Sequence, residues 1–201
     1  MRIKLLAIVF LVPTLLLCKK YDITDVQILG QLNADGSMDV TESRTYRFKD
    51  SFSFAYLNLS KSKGISYSDF SVSEQMAAFE QAANKNPGTF TVTDHGDNVE
   101  VRWYYRAKNE SRTFTLRYTV NGVVVRNKDV AQIYHKFIGD QWSKHQSNVK
   151  VSVLPPSQVI GFDVQAWLHG PLWAEYTREK DGSINAWCER LPKKTFFEIR
   201  I

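Results

Sequence analysis

The chain has 201 residues, which is the length of one ordinary domain and excludes repeat arrays and large multidomain enzymes. With 43% hydrophobic, 23% charged and 13% aromatic residues, the composition is globular and excludes a wholly disordered protein. The formal charge is +5, and because residues 1–18 contain Arg2, Lys4 and no acid, residues 19–201 carry only +3. Since no run of Lys and Arg exceeds two residues, we expect no nucleic-acid partner.

The first 18 residues have the pattern of an export signal. Two basic residues precede residues 5–18, which are fourteen uncharged and mostly apolar residues interrupted by Pro13. A spanning helix needs about 20 apolar residues, so a permanent transmembrane anchor is the weaker interpretation. We therefore predict a signal peptide at residues 1–18 and a single exported domain at residues 19–201.

Cys18 ends this hydrophobic segment and is a candidate lipidation site. Leu15 fits a bacterial lipobox, whereas Leu17 is larger than the small residue usual before the cysteine. Lipidation of Cys18 and a simple end of the signal segment are therefore both open. If Cys18 is lipidated or removed, Cys188 has no disulfide partner, and the sequence contains no Cys-based metal motif.

Short segments with period-two alternation recur along the mature chain and predict strands. Residues 23–32 and 37–48 flank the turn 33–36 and predict a first hairpin. Further strands are predicted at residues 89–93, 99–105, 111–120, 123–125, 148–154, 161–168, 183–187 and 195–201. So many short strands predict a mainly β fold, namely an antiparallel β-sandwich of Ig-like or jelly-roll-like type.

Two segments predict short helices. Residues 73–84 have a helical composition, with Met76, Phe79 and Ala83 spaced for one helix face. Residues 129–138 repeat the signal, with Asp129 as N-cap and an apolar stripe that includes Ile133 and Phe137. The predicted fold therefore contains one or two short helices.

The order of motifs along the chain resembles a known family. The most specific part is Tyr118-Thr-Val-Asn-Gly followed by Asp129-Val-Ala and Ile138-Gly-Asp-Gln-Trp. It is joined by Tyr-Asp-Ile at 21–23, Asp-Gly-Ser-Met-Asp-Val-Thr-Glu at 35–42, the aromatic residues at 48 and 52–56, Leu-Pro-Pro at 154–156 and His-Gly-Pro at 169–171. Over nearly all of residues 21–201 the chain resembles the N-terminal extracytoplasmic domain of the YciQ-like predicted membrane proteins.

That family is bacterial and archaeal and has no established activity, so the resemblance implies an architecture and a location but no catalytic residue. Its members usually continue into transmembrane helices after this domain. The chain is therefore either a free-standing lipoprotein form or a larger protein cut at Ile201, and both interpretations stay open.

A search for catalytic motifs finds no GxSxG, HExxH or P-loop pattern, which excludes the corresponding enzyme classes. Among the carboxylates, Glu42 shares one strand face with Met38 and Val40, and a carboxylate on an apolar face needs a partner. Glu42 is therefore either an ion-paired structural residue or a site acid. The candidate partners are Arg44, Arg102 and Arg117.

The remaining candidate residues are predicted to bind a ligand. No histidine has an acidic partner at short helical spacing, so no metal site and no cofactor are predicted. His169 precedes a Gly-Pro turn, and Asp129 is a helix cap or a ligand-binding residue. Trp167 and Trp173 are predicted to flank a ligand groove at a sheet edge, where their rings would stack on sugars, although most tryptophans of such a domain are expected in the core.

We therefore predict an exported domain on the extracytoplasmic side of a membrane, with a non-catalytic binding or scaffolding function in the cell envelope. Its partners are the membrane and an envelope glycan or protein. One alternative is an envelope enzyme acting on cell-wall glycan or peptide through Glu42, Asp129 and His169, which requires these groups to converge. Another is a ligand-sensing ectodomain of a larger membrane protein.

Overall fold

The computed structural model describes residues 19–156 and 164–201. The predicted signal peptide with Cys18, and part of the strand predicted at residues 161–168, lie outside these ranges. Within the described residues the fold is mainly β and contains no helix. No helix in this part of the chain is long and apolar enough to cross a bilayer.

Sixteen strands make up the described fold. The predicted hairpin of residues 23–32 and 37–48 is confirmed, because β1 and β2 pair antiparallel from Tyr21–Phe48 to Leu32–Met38. The strands are β1 Tyr21–Leu32, β2 Met38–Phe48, β3 Ser51–Ser60, β4 Ser66–Glu74, β5 Ala77–Ala78, β6 Glu80–Gln81, β7 Thr89–Asp94, β8 Asn98–Lys108, β9 Ser111–Asn121, β10 Val124–Arg126, β11 Ala131–Ile138, β12 Gln146–Leu154, β13 Trp167–His169, β14 Glu175–Arg178, β15 Ile184–Leu191 and β16 Phe197–Arg200.

These strands form three sheets. The large sheet has eight strands in the order β14-β15-β12-β1-β2-β9-β4-β5. The β16 sheet has the order β10-β11-β16-β13, and the β8 sheet has the order β3-β8-β7-β6. The sequence predicted purely antiparallel pairing, which is wrong for two pairs of strands. β12 lies parallel to β1, and β7 lies parallel to β6. A long excursion of the chain separates β1 from β12, which allows the chain to return beside β1 in the same direction.

The helix predicted at residues 73–84 is wrong. Its first residues end β4, whose Ser73 and Glu74 pair with β9, and the chain then turns at Gln75 and Met76 into the short strand β5. Gln75 has a φ of 52°, in the left-handed region that a helix interior excludes. Pairing with β9 therefore outweighs the helical composition of the segment.

The helix predicted at residues 129–138 is also wrong. Asp129 lies in the turn between β10 and β11, and residues 131–138 form β11. Ile133, His135 and Phe137 are buried, whereas Tyr134 and its outward neighbours are exposed, which is the alternation of a half-buried strand. The apolar residues of this segment fit both a helical and a strand period, and the β-rich surroundings select the strand.

One buried hydrophobic cluster joins the three sheets. The β8 sheet reaches the large sheet through Trp103 and Tyr105, whose rings lie 5.8 and 4.6 Å from that of Phe114 on β9. The β16 sheet approaches β1 so closely that a Cβ at Gly30 would lie 3.2 Å from the Phe137 ring. Residues that face this core are therefore shielded from solvent, and a ligand site has to lie on an outward face or at an edge.

Candidate functional site

Among residues 19–156 and 164–201, one ion pair is buried in the interior, formed by Glu42 and Arg44 on the core-facing side of β2. Their side chains are only 2% and 4% exposed. Arg44 Nε donates to Glu42 Oε1 at 2.8 Å, and Nη2 lies 2.7 Å from the same oxygen. Of the three predicted partners of Glu42, the structure therefore selects Arg44.

Three further side chains surround this ion pair. Arg44 Nη1 donates to Gln146 Oε1 at 2.7 Å, and the Tyr118 hydroxyl donates to Glu42 Oε2 at 3.4 Å. The Trp142 ring covers the guanidinium at 4.5 Å. Burial raises the pKa of Glu42, and the neighbouring Arg44 opposes that rise.

Because its members are buried and bonded to one another, the interior ion pair gives a substrate no access. Its geometry is that of a structural ion pair inside the core. Glu42 nevertheless stays part of the ligand-binding prediction that the sequence made, since burial alone does not measure binding.

An outward face of the β16 sheet brings together side chains of a different kind. Pairing of β11, β16 and β13 sets Tyr134, Arg200 and Trp167 in one row across the sheet. The next row consists of Lys136, Glu198 and His169. All six side chains point away from the core because Ile133, Phe137, Phe197 and Ile199 point into it. We call these six residues the aromatic face.

The aromatic rings of this face are exposed, and its carboxylate is not. Tyr134 and Trp167 are 62% and 46% exposed, whereas Glu198 is 6% exposed. The Tyr134 ring meets that of His169 edge-on at 6.1 Å, and the Arg200 guanidinium lies 5.3 Å from the Trp167 ring. A hydrogen bond to the Glu198 carboxylate raises the pKa of Tyr134.

This arrangement combines flat exposed rings with fixed polar groups. Exposed indole and phenol rings offer apolar surfaces on which the C–H face of a sugar or another flat group stacks. A carboxylate, a guanidinium and an ammonium group beside them supply hydrogen-bond acceptors and donors at defined positions. Such a face suits binding, and its orienting polar groups give selectivity.

Trp173 lies in the turn between β13 and β14, outside the β16 sheet that carries Trp167. It is 59% exposed, and its indole N–H donates to the backbone oxygen of Arg190 at the end of β15, at 3.3 Å. Trp167 belongs to the β16 sheet, at whose edge β13 lies. Both indoles are exposed as predicted for ligand-binding tryptophans, and the common groove between them stays a prediction.

The three residues of the enzyme hypothesis do not converge. Glu42 is in the interior, Asp129 is in the turn between β10 and β11, and His169 is on β13. His169 lies in the same row across the sheet as Lys136. Lys136 comes seven residues after Asp129 in the chain. At roughly 3.3 Å per residue of strand, the part of β11 from Ala131 to Lys136 alone spans on the order of 16 Å.

No group of three or more His, Cys, Asp or Glu side chains within residues 19–156 and 164–201 is placed to hold a metal ion. Cys188 is buried in the core at 1% exposure, and burial raises the pKa of its thiol. The protonated thiol is a poor nucleophile and a poor metal ligand at neutral pH.

Sequence reasoning found Trp167 and His169 and missed the four other members of the aromatic face. Tyr134 and Lys136 were missed because their segment was predicted to be a helix. A helix and a strand turn different sets of residues outward, so the predicted helix did not place these two side chains on one exposed face. Glu198 and Arg200 lie in a strand that was predicted but not searched for site residues. The signal available was the strict alternation of apolar and charged residues from 197 to 200.

Comparison with known families gives one match. The family described as "Predicted membrane protein (DUF2207) N-terminal domain" matches residues 22–201, which is most of the 201-residue sequence. No curated protein matches the sequence at a significant level.

Solved structures with a similar backbone are distant in sequence. A protein from Parabacteroides distasonis proposed to be a protease is 10% identical, with a TM-score of 0.51 over 90% of this chain and 40% of that one. An M1 zinc metallopeptidase from Deinococcus radiodurans is 13% identical, with a TM-score of 0.46 over 90% of this chain and 42% of that one. A protein from Legionella pneumophila proposed to bind nutrients is 8% identical, with a TM-score of 0.49 over 89% and 66%. The chain spans less than half the length of the first two structures, and the similarity to the Parabacteroides distasonis protein describes the fold alone.

Proposed function

We propose a function on the basis that this chain belongs to the DUF2207 family of predicted membrane proteins, with residues 22–201 as the family's N-terminal domain. The proposed function is non-catalytic. The domain is exported behind its signal peptide and stays associated with the membrane on the extracytoplasmic side. There it binds a glycan of the cell envelope. Its architecture is that of a β-sandwich, in which the two smaller sheets cover one side of the large sheet.

The aromatic face is the observation that carries this proposal. Trp167 and Tyr134 expose ring surface on a pleated sheet, a backbone that holds them in place before a ligand arrives. Pre-organised rings lose little conformational entropy on binding. Arg200 and Lys136 lie directly between or beside these rings, where they would meet sugar hydroxyls, while the buried Glu198 holds the Tyr134 hydroxyl by a hydrogen bond.

A binding function fits the described residues better than an enzyme does. Catalysis through dispersed residues requires at least two of the groups to lie within hydrogen-bond reach of one substrate. Glu42 is paired with Arg44 in the core, and Asp129 and His169 lie far apart along β11 and its neighbours. The proposed ligand-binding residues are therefore those of the aromatic face, with Trp173 as a second contact if the ligand extends past the edge strand β13.

Co-sedimentation of the protein with purified peptidoglycan tests this proposal. Replacement of a central aromatic anchor commonly costs about 2 kcal/mol of binding free energy, so Trp167→Ala is expected to weaken binding at least about tenfold. Trp187→Ala is the matched control, because Trp187 is a partly exposed tryptophan on β15 of the large sheet, outside the aromatic face. Equal binding by wild type and Trp167→Ala, at unchanged stability, would contradict the proposal.

A further inference from the structure

Five segments meet at the end of the molecule at which β1 begins. Tyr21 at the start of β1 pairs with Phe48 at the end of β2, and Arg47 pairs with Ser111 at the start of β9. On the other side, Ile23 pairs with Gln146 at the start of β12, which pairs with the end of β15. We call this region the basic end; it comprises residues 19–22, 47–50, 106–112, 139–145 and 189–194.

Backbone hydrogen bonds tie these segments together. Lys49 N donates to Lys20 O, Phe48 N donates to Glu110 O, and Lys194 N donates to Trp142 O, each at 2.9 Å. The cationic groups are therefore held on an ordered surface, not on a free tail. Two of them also lie over rings, because Lys19 Nζ is 5.7 Å from the Phe52 ring and Lys144 Nζ is 5.5 Å from the Tyr21 ring.

The charge of the basic end differs from that of the opposite end. The five segments contain eleven Lys and Arg residues and five Asp and Glu residues. The segments that meet at the opposite end, residues 33–37, 61–65, 94–98, 122–129 and 179–183, contain five Lys and Arg residues and six Asp and Glu residues. The weak positive charge of the whole domain is thus concentrated at one end.

Local ion pairs leave most of this positive charge uncompensated. The Asp22 carboxylate lies 2.8 Å from both Arg47 Nη2 and Lys49 Nζ, so that one acid serves two cations. Its hydrogen bonds to Lys49 and Arg47 lower the pKa of Asp22 to about 2. Arg112 is the exception, because it is paired with two acids, Glu74 and Glu110.

We propose that the basic end is the surface by which the domain lies against a bilayer containing anionic lipids. The hydrophobic residues 5–18 directly precede Lys19, so the chain enters the domain at this end. Basic groups held close to an anionic membrane are attracted by its surface potential, and this attraction falls off within a Debye length. The inference rests on the membrane association in the proposed function, and it fixes which end faces the lipid and leaves the aromatic face free for its ligand.

Fluorescence energy transfer from the protein to a dye-labelled lipid tests this orientation. The full chain is reconstituted in vesicles of phosphatidylcholine alone or of phosphatidylcholine with phosphatidylglycerol. A fluorescent amino acid replaces Ser111 at the basic end or Ser62 at the opposite end, both exposed serines. Transfer from position 111 is expected to exceed transfer from position 62, to increase with phosphatidylglycerol and to lose that increase at high salt.

Charge reversal separates electrostatic docking from simple tethering. The triple variant Lys20→Glu, Lys108→Glu, Lys193→Glu is expected to abolish the increase with phosphatidylglycerol at position 111. The matched control Lys63→Glu, Lys128→Glu, Lys180→Glu makes the same change in net charge at the opposite end and is expected to keep the increase. Transfer that is equal in both lipid mixtures, or that falls equally in both variants, would overturn the proposal. Peptidoglycan binding is measured separately, so either proposal can fail without the other.

Discussion

At the scale of single residues, the buried polar groups of the core are individually costly and mutually dependent. Glu42 and Arg44 are two positions apart on one strand and therefore point into the same core. The charge of each side chain compensates the charge of the other inside the apolar core. Gln146 accepts a further hydrogen bond from the Arg44 guanidinium. A buried ion pair of this kind adds little net stability, whereas a single unpaired member is strongly destabilising.

Breaking the ion pair on one side is expected to cost more than removing it. Glu42→Leu leaves the Arg44 guanidinium buried without its carboxylate, and we expect a loss of about 3–5 kcal/mol in the free energy of unfolding. The double variant Glu42→Leu, Arg44→Met should recover most of this loss because no buried charge remains. Urea unfolding of the four members of this double-mutant cycle measures the coupling. Additive effects of the two substitutions would show that the pair is not coupled in the core.

His135 is expected to make stability depend on pH. Burial lowers the pKa of His135 to about 4, below the ordinary value of 6.5. Between about pH 4 and pH 6.5, His135 binds a proton in the unfolded chain but not in the folded chain. The free energy of unfolding therefore falls as the pH is lowered through this range. This single group contributes a loss of about 2 kcal/mol between pH 7.5 and 5.

Urea unfolding at the two pH values checks this expectation. His135→Leu should reduce the pH dependence by that amount, while His95→Gln, which changes an exposed turn histidine, should leave it as in the wild type. An unchanged pH dependence in His135→Leu would show that His135 does not titrate in this way.

At the scale of elements, strands were predictable where one face is apolar and the other polar. The hairpin of β1 and β2 and the strands β7, β8, β9 and β12 follow directly from alternation between turn residues. Residues 73–84 were mispredicted because their local composition favours a helix, while partner strand β9 lies far away along the chain and is invisible to local patterns. The aromatic face was only partly predictable for the same reason, since pairing of β11, β16 and β13 brings together residues that are up to 66 positions apart in the sequence.

The turn between β9 and β10 depends on a glycine. Gly122 has a φ of 76°, and a Cβ there would clash with the Gly64 backbone oxygen. Gly122→Ala is therefore expected to destabilise the fold by clearly more than the cost of about 1–2 kcal/mol for the left-handed conformation alone. Gly96→Ala measures that conformational cost by itself, because Gly96 has a φ of 87° with no atom within 4 Å of its Cβ position. Equal losses in thermal or urea unfolding for the two variants would contradict the close approach of the two turns.

At the scale of the whole molecule, three sheets share one core and present three different surfaces. The interior holds the ion pair, the outward side of the β16 sheet holds the aromatic face, and the start of β1 lies at the basic end. The two proposals thereby place membrane docking and ligand binding on separate surfaces of the domain. The mainly β character, the family and two of the six aromatic-face residues followed from the sequence, whereas the face itself and the concentration of charge required the strand register.

Fluorine NMR on the protein labelled with 5-fluorotryptophan tests ligand binding by the aromatic face most directly. The Trp167 resonance is assigned by its loss in Trp167→Phe, and soluble peptidoglycan fragments are then added. We expect the Trp167 resonance to shift with saturation while that of Trp103, buried at 1% exposure, stays in place. A saturable shift of the Trp187 resonance without one at Trp167, or no saturable shift at any tryptophan, would contradict the proposal that this face binds an envelope glycan.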